Sequence, residues 1–167
     1  MSRVAVLAAV VFVAVGGAAG AAPDSRTVAS VADGDTLSLA DGARVRLVQI
    51  DAPELGGECY SRAAARELRR LTPVGASVSL EADRRLDAVD RYGRLLRYVW
   101  RNGVNVNLEL VRRGAATVWL YDGDRGKYAA RLLAAARQAR AERRGVWGAC
   151  NVVWDPYEPA STSPRTG

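Results

Sequence analysis

From Thr27 onward the apolar residues recur with a period near two in short runs, and that pattern gives way to a helical one only once before residue 100. The runs are Thr27–Val31, Thr36–Leu39, Arg44–Ile50, Ser77–Glu81 and Leu95–Trp100. None is long enough to form a stable sheet unless it pairs with others of its kind. Ala40-Asp41-Gly42 lies between the second and third runs and predicts a hairpin turn there. Pro53 ends the third run. Between the third and fourth runs, Ser61–Leu71 puts Ala64, Leu68 and Leu71 on one stripe and Arg62, Arg66, Glu67 and Arg70 largely off it, which predicts a helix closed by Pro73 and Gly75. Further on, Asn105 is placed to cap a helix over Val106–Arg113, and Gly114 to end it. A last helix runs from Tyr128 to about Arg143, with Leu132, Leu133 and Ala136 on its apolar side. Five short strands with a helix between the third and fourth, followed by terminal helices, predict an α+β fold: a five-stranded OB-type β-barrel with about three helices.

The chain of 167 residues is long enough for one domain with a real core. Its first 21 residues carry the pattern of a signal peptide. Arg3 gives a basic start, Val4–Val15 is wholly apolar, and Ala19-Gly20-Ala21 fits an A-x-A cleavage site. An uncleaved anchor is the alternative, since Val4–Ala22 carries no charge. Residues 22–27 form a short N-terminal segment, and 28–150 the domain. The tail 151–167 holds three prolines with Ser, Thr and Gly, and it reads as disordered. The expectation is an exported, secreted protein.

The chain has no histidine, which excludes Ser-His-Asp and Cys-His machinery and histidine-based zinc sites. Two cysteines cannot complete a four-cysteine zinc site. Any chemistry must therefore come from carboxylates, arginines, tyrosines or a metal held by oxygen. The net charge is +6 and almost all of the positive charge is arginine, with Lys127 the only lysine. Such a balance favours polyanionic partners such as nucleic acid or an anionic membrane, although an Ala-, Val- and Arg-rich composition can also reflect genomic base composition.

Four acids and an arginine lie close together in Asp33-Gly34-Asp35-Thr36 and Arg46-Leu-Val-Gln-Ile-Asp51-Ala52-Pro53-Glu54. An isolated Asp-Gly-Asp is commonly a turn whose aspartates bond local N–H groups. An EF-hand does not fit, because the twelfth residue from Asp33 is Arg44 and from Asp122 is Leu133, where glutamate is required. Asp35 and Asp51, brought together across a hairpin, would make a two-carboxylate Ca²⁺ site completed by a backbone carbonyl and water. Arg46 either lies exposed with its stem along the barrel or faces these carboxylates and clamps a phosphate. Asp90-Arg91-Tyr92-Gly93-Arg94 could supply a second arginine, or it is an ordinary charged hairpin loop.

Together these pieces, with Asn107-Leu-Glu-Leu-Val-Arg-Arg-Gly114 and Gly145-Val-Trp147, resemble the thermonuclease family, the staphylococcal-nuclease-like calcium-dependent nucleases. The resemblance covers about Val28 to Trp147. It implies a phosphodiesterase acting on DNA and RNA with Ca²⁺ as cofactor, giving 3′-phosphate and 5′-hydroxyl ends. It further implies that Asp35, Asp51 and the backbone carbonyl of Ala52 bind the ion, with Asp33 behind them through water. Glu54 would be the general base or water orienter, and Arg46 and Arg94 would hold the phosphate. Tyr92 matches a tyrosine near the substrate, where a packing role is the alternative. The family's nucleoside-contacting aromatics fall near Trp119-Leu-Tyr121-Asp122, with no residue-by-residue match. A non-catalytic OB-type module binding single-stranded nucleic acid is the competing reading, and keeping Asp35, Asp51, Glu54, Arg46 and Arg94 together argues against it.

Cys59 and Cys150 are the only cysteines, and in an exported chain the expectation is a disulfide, with two separate thiols the alternative. Closing so long a loop would contribute about 4–5 kcal/mol in the chain-entropy model. A monomer with no stable protein partner is expected.

Overall fold

A computed structural model describes residues 25–165, so the predicted signal peptide, residues 1–21, lies outside the described residues. The chain forms β1 (Ser25–Val31), β2 (Thr36–Leu39), β3 (Arg44–Leu47) and β4 (Ile50–Asp51). It continues through helix α1 (Ser61–Leu71), β5 (Ser77–Glu81), β6 (Leu95–Arg101) and β7 (Val104–Asn105). Then come α2 (Val106–Arg112), β8 (Thr117–Val118), α3 (Ala129–Ala141), the single turn α4 (Val146–Ala149), β9 (Cys150–Val153) and β10 (Ser161–Pro164).

The sheet closes on itself. β2 pairs antiparallel with both β1 and β3, β5 pairs antiparallel with β1 and β6, and β3 pairs parallel with β6. The result is the expected five-stranded OB-type barrel of an α+β fold. Closure removes the exposed edges that short strands would otherwise present. Leu37, Val45, Leu47 and Val99 fill its interior, and Leu110 and Leu132 bring α2 and α3 onto the same core. α1 spans the predicted residues and buries Ala64 and Leu68 as expected, while Leu71 at its end is half-buried. Asn105 caps α2 as the sequence predicts, its side chain accepting from the Leu108 N–H at 2.9 Å. Removing such a cap costs about 1 kcal/mol.

Three expectations are corrected. The barrel starts at Ser25 rather than at residue 28, because Ser25 and Thr27 pair with Ser79 and Ser77 of β5. The third strand does not run through to Ile50. It stops at Leu47, Gln49 adopts φ +62°, and Ile50–Asp51 leaves the barrel to pair with Val118 and Thr117 of β8. Distant polar groups hold this break. The Val48 carbonyl accepts from Asn107 Nδ2 at 2.9 Å, Gln49 Oε1 accepts from the Tyr98 hydroxyl at 2.5 Å, and Gln49 Nε2 donates to the Asp124 carbonyl at 3.0 Å. Asn107 is fully buried, and its Oδ1 also accepts from Val99 N–H, so this side chain of the Asn107–Gly114 motif ties α2 to β6 and to the break at Val48.

The tail is the third correction. Residues 150–164 are ordered as an antiparallel hairpin of β9 and β10, in which Val153 pairs with Ser161 and Cys150 with Pro164. Its prolines mark the turn and the strand end instead of disorder. The hairpin is fastened by the Cys59–Cys150 disulfide, by the Trp154 indole N–H donating to the Val118 carbonyl at 2.8 Å, and by Leu120 N–H donating to the Pro156 carbonyl at 2.7 Å. Among the described residues no helix is long and apolar enough to cross a membrane.

Candidate active site

The barrel register brings the two arginines together. Arg46 on β3 pairs with Thr36 on β2 and with Leu96 on β6, and Arg94 enters the same barrel end one residue before β6 begins. Arg46 is buried. Its Nη1 donates to the carbonyls of Leu47 and Ile50 at 2.9 and 2.7 Å. Its Nη2 meets Asp35 Oδ2 at 3.0 Å and Asp51 Oδ1 at 3.3 Å. Of the two orientations left open by the sequence, the guanidinium takes the one facing the carboxylates. The break after Leu47 is what makes this possible, since it turns the Ile50 carbonyl and Asp51 back towards their own strand.

Asp33 and Asp35 sit where the chain passes from β1 to β2. Asp33 is half-buried, and its Oδ1 accepts from the Asp35 N–H at 3.1 Å, a turn closed by a side chain. Gly34 is required here by space. A Cβ on it would lie 2.5 Å from Ala52 Cβ and 2.8 Å from Ala64 Cβ, so only glycine lets this turn lie against both α1 and Ala52. That close approach lets the Ala52 N–H donate to Asp35 Oδ2 at 2.9 Å, while Thr36 Oγ1 donates to Asp35 Oδ1 at 3.1 Å.

The electrostatics follow from burial. Asp35 is pushed up to about 7, first by burial and then by Asp33 and Asp51, against the pull of Arg46 and the Ala52 N–H. Asp51 is also raised, first by burial and further by Glu54 and Glu58, while Arg46 and the Ala160 N–H oppose the shift. Two carboxylates thus share one guanidinium, so a negative charge is left over in a place where uncompensated charge is costly. A hard divalent cation suits that excess and those oxygen donors. Among the described residues no three acidic or cysteine side chains form a ready ligand set, so an ion would draw on this pair and on backbone carbonyl and water.

Glu54 lies exposed just beyond this pair, close enough for its charge to act on Asp51. Its backbone N–H donates to Glu58 Oε2 at 2.6 Å. Arg94 is half-buried. Its Nε donates to Asp90 Oδ2 at 2.6 Å, and its Nη1 reaches Thr36 Oγ1 at 3.5 Å. Asp90 organises the turn by accepting from the Tyr92 and Arg94 backbone N–H groups as well, which holds its carboxyl below the usual range despite partial burial. Gly93, at φ +75°, supplies the left-handed residue that this turn needs.

Beside the acidic pair, which does not itself line it, is a cleft of about 360 Å³ lined by Arg46, Arg94, Tyr92, Gln49, Trp119 and Tyr121. Tyr92 is exposed, and the guanidinium groups of Arg91 and Arg94 lie 4.9 and 5.5 Å from its ring centre. Trp119 and Tyr121 meet edge to face at 5.5 Å, forming the aromatic wall that the sequence left unaligned. Sequence reasoning missed Glu58 and the hairpin residues Ala160 and Thr162. Ala160 N–H donates to Asp51 Oδ2 at 3.0 Å, and Thr162 N–H donates to Glu58 Oε1 at 3.2 Å. The signal that could have found them was Cys59 itself, because a bridge to Cys150 starts the tail beside the Glu54 loop.

Comparison with known proteins bears on the family. Residues 44–149 match the family described as staphylococcal nuclease homologue. An "Uncharacterized endonuclease" of Escherichia coli is 36% identical over 130 residues, which is 75% of this chain and 78% of the relative. The "Thermonuclease" of Staphylococcus intermedius is 33% identical over 132 residues, 74% of this chain and 76% of the relative.

Proposed function

Because this chain belongs to the staphylococcal nuclease family and is a hydrolytic nuclease, we propose that its cleavage of DNA and RNA depends on Ca²⁺ and leaves 3′-phosphate and 5′-hydroxyl ends. The observation that carries this reading is the convergence of Asp35 and Asp51 on one guanidinium nitrogen of Arg46, which lines one cleft together with Arg94. Asp35, Asp51 and the Ala52 carbonyl would hold the ion, with Asp33 behind them. Bound there, Ca²⁺ would balance the excess negative charge and polarise a phosphoryl oxygen.

The chain's own residues do the rest. Glu54 accepts a proton from the attacking water or orients it. The water oxygen bonds to phosphorus, the bond to the 5′ oxygen breaks, and that oxygen takes a proton from solvent water and leaves as a hydroxyl. Arg46 and Arg94 stabilise the charge that grows on the equatorial oxygens, in a setting less polar than water. Asp90 holds Arg94 through Nε, so the terminal nitrogens are what Arg94 offers a phosphate. Tyr92, Trp119 and Tyr121 suit stacking against nucleobases, which tolerates any sequence. The Cys59–Cys150 bridge supports export to an oxidising compartment, in line with the leader expected at residues 1–21.

Digestion of DNA and of RNA with Ca²⁺, and with chelator in its place, tests the reading. Cleavage should require Ca²⁺, and the products should accept 5′ labelling by a kinase without prior phosphatase treatment. Products carrying 5′-phosphate, or cleavage indifferent to chelation, would overturn it.

A further inference from the structure

The Pro53–Tyr60 loop that carries Glu54 has little to hold it from within. It contains Gly56 and Gly57, Leu55 is 44% exposed, and the residues from Glu54 to Gly57 are all exposed. Its internal backbone bonds are long: Glu58 N–H to the Glu54 carbonyl at 3.3 Å and Ser61 N–H to the Glu58 carbonyl at 3.5 Å. A loop with so few buried contacts belongs to the least stable part of a domain.

What fixes it comes from the far end of the chain. Glu58 is the link. Its Oε2 accepts from the Glu54 N–H at 2.6 Å and its Oε1 accepts from the Thr162 N–H of β10 at 3.2 Å. Beside it, Thr162 Oγ1 donates to the Cys59 carbonyl at 2.9 Å, and Cys59 N–H donates to the Thr162 carbonyl at 3.4 Å. Two residues earlier in the hairpin, Ala160 N–H donates to Asp51 Oδ2 at 3.0 Å, while Asp51 Oδ1 faces Arg46. One hairpin therefore touches two acids assigned to the reaction, one directly and one through Glu58. The hairpin is itself fastened at its base by the disulfide, by Trp154, and by Arg165, whose side chain donates to the carbonyls of Cys150 and Trp147 at 3.1 and 2.9 Å.

We propose that the C-terminal hairpin is a working part of the active site, with Glu58 as the positioning residue that sets Glu54 and the Ala160 N–H as the group that orients the Asp51 carboxylate. The proposal rests on the roles given above to Glu54 and Asp51. A carboxylate with two oxygens suits this task, since it accepts two N–H groups from different segments at once. An amide in its place offers one acceptor and turns an NH₂ towards the other N–H. Groups that orient the residues of a site typically matter 10- to 100-fold in activity or affinity.

The test uses the full oxidised chain with Glu58→Gln, Glu58→Ala and Ala160→Pro, each checked for a wild-type melting transition. Turnover and KM are measured on a short oligonucleotide, and Ca²⁺ binding is titrated calorimetrically without substrate. Glu58→Ala should lower kcat about tenfold, with KM and Ca²⁺ affinity within about twofold of wild type, and Glu58→Gln should fall between. Ala160→Pro removes the donor N–H and should weaken Ca²⁺ binding by about tenfold. Folded Glu58 variants with wild-type kcat would overturn the proposal, and so would tighter Ca²⁺ binding in Ala160→Pro, because the hairpin would then be covering the site. If Ala160→Pro does not fold, the Glu58 pair decides. Wild-type protein that neither cleaves nor binds Ca²⁺ would instead remove the nuclease roles on which the proposal stands.

Discussion

Arg46 is buried and has four partners, two carbonyls and two carboxylates, whereas Arg94 is half-buried and hangs from a single turn through Asp90. Both line the same cleft, and both are proposed to hold the phosphate. One is part of what holds the barrel end together. The other is a tool mounted on the rim. The difference teaches that a site can contain two groups with one chemical task but opposite structural costs of removal.

Arg46→Ala should show the largest effect. Losing a group that stabilises transition-state charge costs on the order of 10²–10³ in rate. Losing one partner of a buried ionic cluster costs about 3–5 kcal/mol, since Asp35 and Asp51 are left uncompensated. Kinetics and urea unfolding on the same preparation read both numbers. Arg46→Lys should not restore the rate, because an ammonium cannot reproduce the planar fork that spans these partners. Recovery with lysine would show that only the point charge matters at this wall.

Arg94→Ala should cost a comparable 10²–10³ in rate with a smaller loss of stability than Arg46→Ala, about 1–3 kcal/mol, since it forfeits one half-buried charged pair with Asp90. If its unfolding shifted as far as that of Arg46→Ala, the contrast between wall and rim would be lost.

The inner wall should also give the protein a pH signature that the rim lacks. Asp35 is raised from 3.8 to about 7 in the fold, so the native state binds more protons than the unfolded chain between those values. Stability in chelator should then decline as pH rises from about 4 to about 7, because the contribution is fully present below the unfolded value and lost through the folded one. Asp51, raised in the same direction, adds to this slope. Asp41, Glu81 and Asp90 are lowered instead, so their contributions are lost only as pH falls below the ordinary carboxylate range. Asp35→Asn should flatten the decline between pH 4 and 7, and an unchanged slope would show that the burial of Asp35 has no energetic consequence.

Tyr92→Ala is the smallest expected change. Tyr92 is 63% exposed, so stability should stay within about 0.5 kcal/mol, with a few-fold rise in KM if the ring stacks on substrate. No change in KM would make Tyr92 a cover for Arg91 and Arg94 and nothing more.

Strand and helix periods were legible because they are local. Ser61–Leu71 has the span its apolar stripe predicts, and Asp41-Gly42 makes the hairpin turn between β2 and β3. The third strand was read too long because nothing in Val48-Gln49-Ile50 marks a break. Gln49 is held in a left-handed conformation by Tyr98 and Asp124, and the Val48 carbonyl before it by Asn107, through hydrogen bonds from residues that all lie far along the chain. The tail was misread for a related reason. Its prolines are a local sign of disorder, but Trp154 and the disulfide supply contacts that composition does not count.

The candidate site divides in the same way. The kinds of chemistry it can hold followed from residue types alone: no histidine, clustered acids, and two arginines in recognisable settings. Barrel closure decided the rest. Pairing β3 with β6 set Arg46 against the end from which Arg94 projects, and leaving the barrel at Gln49 turned Asp51 towards Asp35. Sequence alone determined which groups could act, because side-chain chemistry and period belong to single residues and short windows. Only the tertiary structure decided which of those groups are buried and what touches them. Desolvation and hydrogen-bond geometry arise between segments, as Ala160 on Asp51 shows across more than a hundred positions of chain.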